Sequence, residues 1–383
     1  MKVFIATDVS IVISGNRVYA NQKHSTIFKR YYNTFGKIIL CARFATADTT
    51  AKSYDEITDI VDSVVEIQSL YKMFLNQLNT KIETAMRDCD LVICRCPAIS
   101  AFKAADIARK LGKPYLAESM GDPWDAYWNH GIQGKFIAPY MFFKMKEVVK
   151  HANYAIYVTS KFLQGRYPCD NESISASNVL IESGAKEILY ERYNKLASFD
   201  PANITLMTTA AIDVWYKGQQ YVIQSIPKLN KLGIKVKYYI VGEGKKDYLY
   251  QEAQSCGVVE QVVFTGKLPL SDVLKLLDKT DVYLQPSLQE GLPRSVIEAM
   301  SRGCACIGAK TAGIPELLQD DMVVRRKNVS DIVDAIQRYV ALDIERKKEI
   351  ALNNWKEAEQ YSKDVLDARR NRYFSMVKNE ILK

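Results

Sequence analysis

Gln289-Glu-Gly-Leu-Pro-Arg-Ser-Val-Ile-Glu-Ala-Met-Ser-Arg-Gly303 sets one carboxylate before a proline and a second inside an apolar helical repeat. Pro293 suits a first helical position, where its missing N–H costs nothing; Val296, Ile297 and Met300 then keep helical spacing until Gly303 stops the run. Glu290 therefore falls on a loop. Glu298 falls on the helix, about 7.5 Å along its axis from Pro293 at the usual rise, so the two acids can grip two ends of one extended ligand. Upstream, the apolar run Val282 to Leu284 reads as a strand, and Pro286, Ser287, Glu290 and Gly291 lead from it into the helix. Strand, glycine loop and helix N-terminus make an anion site, because free N–H groups and the positive end of the helix dipole favour a phosphate. Gly291 leaves room for close approach. Glu290 would then face sugar hydroxyls and Glu298, an acceptor-only group, the paired hydroxyls of a ribose. The competing reading is two surface glutamates on an amphipathic helix.

Outward from this stretch the same alternation recurs. Strand-like runs at Val3 to Ala6, Ile38 to Ala42, Leu91 to Cys94, Tyr115 to Ala117 and Ala155 to Val158 alternate with amphipathic stretches such as Met73 to Met86 and Ile99 to Leu111. After a polar connection around Ile181 to Ala197 the pattern restarts. Ile204 to Thr208, Val236 to Val241 and Val262 to Thr265 are each followed by a helical stretch, and Cys304 to Gly308 follows the quoted helix. Two doubly wound domains in tandem are implied, with ligands in the cleft between their strand C-termini.

Composition admits this and excludes other classes. The 383 residues are 48% hydrophobic and 25% charged, enough for two cores and too apolar for disorder. The net charge of +8 divides evenly, with 23 Lys/Arg against 19 Asp/Glu up to Tyr190 and 29 against 25 after it, so no basic arm points to nucleic acid. Eight cysteines are scattered without a C-x-x-C pair, and three histidines supply no zinc-ligand cluster; buried thiols in a cytoplasmic protein without a structural metal are expected. The N-terminal apolar run is too short for a signal peptide, and no run approaches twenty apolar residues, so a soluble or peripheral protein is expected.

Gln-Pro-Ser-x-x-Glu-Gly-Leu-Pro-x-x-x-Ile-Glu-Ala-Met-x-x-Gly (285–303), followed by Gly-Ile-Pro-Glu-Leu-Leu (313–318), resembles the E-x7-E region of glycosyltransferase family 4, retaining enzymes of the GT-B fold. Lys217-Gly218, Val241-Gly242-Glu243-Gly244 and Val263-Phe264-Thr265-Gly266 extend the resemblance in matching order over most of the C-terminal half. It implies transfer of a sugar from a nucleotide-diphosphate donor, UDP-linked by family expectation, with no tightly bound cofactor. It further implies that Glu290 and the backbone of Gly291 and Leu292 meet the donor sugar and phosphate, Glu298 holds the ribose, and Lys217 neutralises the diphosphate. Lysine and helix terminus would both stabilise leaving-group charge more in the transition state than in the substrate.

One departure concerns the arginine such enzymes often carry five or six residues before this lysine. Here those positions are Ile212 and Ala211, leaving Lys217 and the helix alone or with Arg294 as compensation. Gly242-Glu-Gly244 lacks the third glycine of a dinucleotide fingerprint and reads as a tight turn beneath the base, with Lys267 near the base edge by family analogy. Asp88-Cys-Asp90 resembles a metal-binding D-x-D but precedes a strand, so its carboxylates should point away from the ligands.

The N-terminal half resembles the family in layout only. Ser14-Gly15-Asn16-Arg17 is either a phosphate-proximal loop or simply a turn. Asp122, in Glu118-Ser-Met-Gly-Asp-Pro-Trp-Asp125 after a strand, is either a residue handling the acceptor hydroxyl or part of a packed Pro-Trp turn. From Tyr127 to Tyr167, Lys135, Lys144, Lys146, Lys150, Lys161 and Arg166 face the single acid Glu147, with Phe136, Tyr140, Phe142, Phe143 and Phe162 interleaved. That composition fits either an anionic membrane surface on the inner face, bringing in a lipid-linked acceptor, or a core helix with a solvated lysine face. The reading is thus an α/β GT-B protein of two doubly wound Rossmann-like domains facing across a cleft. Residues 1–185 would bind the acceptor and 186–362 the nucleotide sugar, and a terminal helix, 363–383, would pack back on the first. The expected activity is sugar transfer to a glycan or lipid-linked acceptor for a surface polysaccharide or glycolipid, without nucleic acid as partner. A sugar-nucleotide epimerase and a non-catalytic nucleotide-sugar-binding subunit are the alternatives.

Overall fold

The computed structural model describes residues 1–45, 54–179, 181–182 and 184–383. They form two compact units, Met1–Ala176 with Ala368–Lys383, and Ser177–Asp367. The helix Lys363–Ile381 begins in the second and ends in the first.

The first unit is a nine-stranded sheet: β1 (Lys2–Ser14), β2 (Arg17–Asn21), β3 (Lys37–Ala45), β4 (Tyr54–Glu56), β5 (Val61–Ile67), β6 (Leu91–Cys96), β7 (Tyr115–Ser119), β8 (Tyr154–Tyr157) and β9 (Glu172–Ser175). Its parallel strands lie in the order β5-β3-β1-β6-β7-β8-β9, and β2 and β4 add an antiparallel extension beside the far end of β1. Val3, Phe4, Ile5 and Ala6 of β1 are wholly buried, as an apolar run flanked by strands on both sides must be. The end of the last helix completes this core: the Phe374 ring lies 5.2 Å from Phe35 and 5.8 Å from Tyr31. The stretch Met73 to Met86 is two helices, Leu70–Phe74 and Asn79–Arg87, because Asn76 takes a positive φ between them.

The second unit has six parallel strands: β10 (Asn203–Thr209), β11 (Lys235–Val241), β12 (Val262–Gly266), β13 (Val282–Gln285), β14 (Ala305–Ala309) and β15 (Val323–Val324). Their order is β12-β11-β10-β13-β14-β15. Direction of winding therefore reverses between β10 and β13, the place where the loops leaving adjacent strands of a doubly wound sheet part to opposite sides and ligands generally bind. The connection around 181–197 is not simply polar, since Lys186–Ala197 is a helix. Its Arg192 is buried and donates to the carbonyls of Arg302, Thr280 and Leu277 at 2.7–3.0 Å, so a charged residue occupies a core position between Leu189 and Leu196. Among the described residues no helix is long and apolar enough to cross a membrane.

Candidate active site

The chain reversal in the second unit gathers two of the sequence motifs. The loop after β10 ends in a 3-10 turn, Trp215–Lys217, and Gly218 caps the helix Gln219–Lys231. Gly218 has φ +80, and a Cβ there would meet the Pro286 carbonyl oxygen at 2.2 Å, so only glycine lets this loop lie against the one after β13. Leu288 N–H donates to the Tyr216 carbonyl at 2.8 Å across the same contact. This juxtaposition places Lys217 Nζ 2.8 Å from Glu290 Oε1, with the side chains 22% and 11% exposed. The pair is thus largely screened from water yet still reaches the surface.

Glu290 is also held from beneath. Gln285, the last residue of β13 and itself buried, donates from Nε2 to Glu290 Oε1 (3.0 Å) and to Ser287 Oγ (2.8 Å). Its Oε1 accepts from Tyr283 Oη (2.8 Å) and Ser295 Oγ (3.0 Å), so every polar atom of the amide is used and its orientation is determined. Sequence reasoning missed Gln285; the available signal was a polar residue ending a strand whose other positions are apolar.

The helix starts one residue later than its proline suggested. Pro293 is the cap, extended at φ −74 and ψ 115, and the helix runs Arg294–Ser301 with Gly303 beyond it at φ +61. Among the described residues the N–H groups of Gly291 and Leu292 have no acceptor, while the Gly291 carbonyl accepts from Gly313 N–H at 2.9 Å. Two free amides ahead of a helix N-terminus are the donors an anion needs. Glu298 is buried on this helix at 9% exposure. Burial raises its pKa above the usual carboxylate range, with Arg294 working in the other direction. Arg294 approaches only to 3.9 Å and is half exposed, so this desolvated carboxylate makes no side-chain hydrogen bond among the described residues.

The glycines after β11 are required by packing. A Cβ on Gly242 would meet the Ala210 carbonyl oxygen at 1.8 Å, and one on Gly244, at φ +130, the Asp213 carboxylate at 2.7 Å. Lys267 follows β12 and pairs with Glu243 at 3.1 Å, both about three-quarters exposed. Ile212, at one of the positions expected to hold arginine, is buried and donates its N–H to Glu243 O.

The remaining two candidates belong to the first unit. Gly15 and Asn16 form the two-residue turn of the β1–β2 hairpin, register Ser14 opposite Arg17, with the positive φ at Gly15 that a II′ turn needs. Asp122 is the buried N-cap of the helix Pro123–Trp128. It accepts from Trp124 N–H at 2.9 Å, from the Tyr167 hydroxyl, and pairs with Arg166 Nε at 2.9 Å. Both its oxygens are engaged. Asp90 accepts from Lys2 N–H at 2.8 Å ahead of β6, at the strand end opposite to that where ligands bind.

Residues 194–357 match the family described as glycosyl transferases group 1. Protein CapJ of Staphylococcus aureus is 30% identical over 358 residues, 90% of this chain and 88% of its own. The N,N'-diacetylbacillosaminyl-diphospho-undecaprenol alpha-1,3-N-acetylgalactosaminyltransferase of Campylobacter jejuni is 28% identical over 207 residues, 52% of this chain and 50% of its own. Among solved structures, Anabaena HepE in complex with UDP matches with a TM-score of 0.66 at 16% identity, covering 98% of this chain and 99% of that one; the shared fold is GT-B. The chain belongs to the glycosyl transferases group 1 family and is a hexosyltransferase-type glycosyltransferase.

Proposed function

We propose that the chain transfers a sugar, with retention at the anomeric carbon, from a UDP-linked donor to a glycan or lipid-linked acceptor in assembly of a surface polysaccharide or glycolipid. The observation that carries this reading is the Lys217–Glu290 pair at the reversal point of the second sheet, beside two unpaired backbone amides. In the proposed reaction the anomeric C–O bond to the diphosphate breaks, negative charge gathers on the leaving phosphate oxygen, and the acceptor oxygen forms the new bond as its proton passes to that phosphate oxygen. Lys217, the Gly291 and Leu292 amides and the helix N-terminus stand where fixed positive charge would offset it. Glu290 meets the sugar hydroxyls, and the buried carboxylate of Glu298, which makes no side-chain hydrogen bond among the described residues and has Arg294 only at 3.9 Å, takes the ribose. Arg294, half exposed on the same helix face as Glu298, adds charge at the donor's edge, while Gly242 and Lys267 border the base. HepE is described with UDP bound, and the C. jejuni relative carries a diphospho-undecaprenol-linked sugar in its name; both support the donor and acceptor classes. Action at the cytoplasmic face of a membrane is part of the same proposal.

Glu290→Ala and Lys217→Ala should leave the circular dichroism spectrum unchanged and cut turnover by about two orders of magnitude, as loss of a transition-state electrostatic contact does. A folded variant that still turns over UDP-sugar at the wild-type rate removes that residue from the site. Thermal stabilisation by a panel of nucleotide sugars identifies the donor, and the anomeric configuration of the product tests retention.

A further inference from the structure

The helix Gly131–Lys150 is apolar on two opposite faces. Ala138, Met141, Met145, Val148 and Val149 are buried against the first unit. On the other side Ile132, Phe136 and Phe143 are 75%, 81% and 66% exposed, spaced as one helical stripe. Tyr140 continues the stripe sideways. Its ring meets Phe74 edge-on at 5.4 Å, joining the helix Leu70–Phe74 and its exposed Tyr71. A soluble surface seldom leaves so many large rings in water without a use.

Charge decides what covers them. Lys135 and Lys146 repeat the spacing of Ile132 and Phe143 three residues on, so they form a parallel row along the stripe's edge, and Lys150 closes its end. All three are exposed and make no ion pair among the described residues. Lys144, which the sequence grouped with them, does not belong: its Nζ lies 2.8 Å from both Asp106 and Glu147, carboxylates that Arg109 shares. Glu147 is the helix's only acid and is taken up by Lys144 and Arg109, so no acid of this helix is left to pair with Lys135, Lys146 and Lys150. A second copy docked by two-fold symmetry would set lysines against lysines. We infer that this face seats on an anionic lipid surface, Ile132, Phe136 and Phe143 entering the headgroup–acyl boundary while Lys135, Lys146 and Lys150 meet the phosphates. The inference rests on the lipid-linked acceptor reading and names the surface that would serve it.

The test is co-sedimentation of the full chain, without donor or acceptor, with phosphatidylcholine vesicles alone and with added phosphatidylglycerol, at low and high salt. Binding should require the anionic lipid and weaken as salt shortens the screening length. Phe136→Ser with Phe143→Ser should weaken it about tenfold or more. Lys135→Gln with Lys146→Gln should weaken it on the order of twentyfold, and Lys144→Gln should change it little. Absence of binding, equal binding to both vesicle types, or concentration-dependent dimerisation abolished by the same aromatic substitutions would overturn the inference. Transfer to a soluble acceptor analogue, measured without vesicles, fails only if the proposed activity is wrong, so the two failures are separable.

Discussion

Each unit carries an ion pair at the C-terminal end of its parallel strands, and the two pairs differ in what surrounds them. In the first unit Arg95 on β6 and Glu118 on β7 are register partners, joined at 2.7 Å and 3% and 2% exposed. Tyr31 donates to the same Glu118 oxygen at 2.8 Å. In the second, Lys217 and Glu290 sit on loops just beyond β10 and β13 and reach water. Both pairs lie toward the carboxyl ends of parallel strands, but β6 and β7 stand one strand beyond the first sheet's own reversal between β1 and β6, and there burial turns the pair into internal wiring, whereas the loop pair at the β10–β13 reversal keeps contact with water. Burial pushes the Glu118 carboxyl up, but Arg95 and the Tyr31 hydrogen bond overcome that and hold it below its ordinary range.

The sharpest way to break this comparison is Glu118→Leu. It strands a buried guanidinium whose Nη1 already has no partner, and should cost about 3–5 kcal/mol in denaturant unfolding. A loss below about 1 kcal/mol would put the two pairs in one class. Because the folded carboxyl titrates low, the wild-type pair stabilises above the unfolded pKa and is lost as pH falls through the folded one. A smaller effect probes the support under Glu290. Gln285→Leu removes its donor and should lower kcat roughly tenfold with KM little changed, the expected loss of a bond to a charged group. An unaltered kcat would make the amide network purely structural.

The smallest effect concerns Glu298, whose raised pKa has the opposite sign. Between the unfolded and folded pKa values the native state holds the proton more tightly, so stability falls as pH rises through that window. Glu298→Gln should therefore gain Tm relative to wild type as pH increases from about 4 to about 8, by the equivalent of about 1 kcal/mol or less. A pH-independent difference would mean the carboxylate is not desolvated. Donor affinity should meanwhile fall in the variant.

What the sequence made legible was local. Lys217, Glu290 and Glu298 stood out because strand, glycine turn and helix start are short-range signals, and the adjacency of β10 and β13 follows from the winding rule. Gln285 did not stand out, since its importance lies in four hydrogen bonds that spacing does not encode. Strands β5 and β9 read as polar, Val-Asp-Ser-Val-Val-Glu-Ile and Glu-Ser-Ile-Ser, because they are the outermost parallel strands of their sheet and need fewer apolar residues. Arg192 and Lys144 misled for a related reason: a charged side chain can be a core or committed residue once carbonyls or carboxylates close around it.

The contact between Lys217 and Glu290 has a kinetic side. The lysine already has a counter-ion within the same molecule, so on the proposed reading an incoming diphosphate displaces a carboxylate rather than water. After transfer that tethered carboxylate competes to take the lysine back, at the high effective concentration of a group fixed nearby. On that reading the spent nucleotide would reside for a shorter time, and product inhibition would be weaker than a solitary lysine gives, so release would be less able to govern turnover.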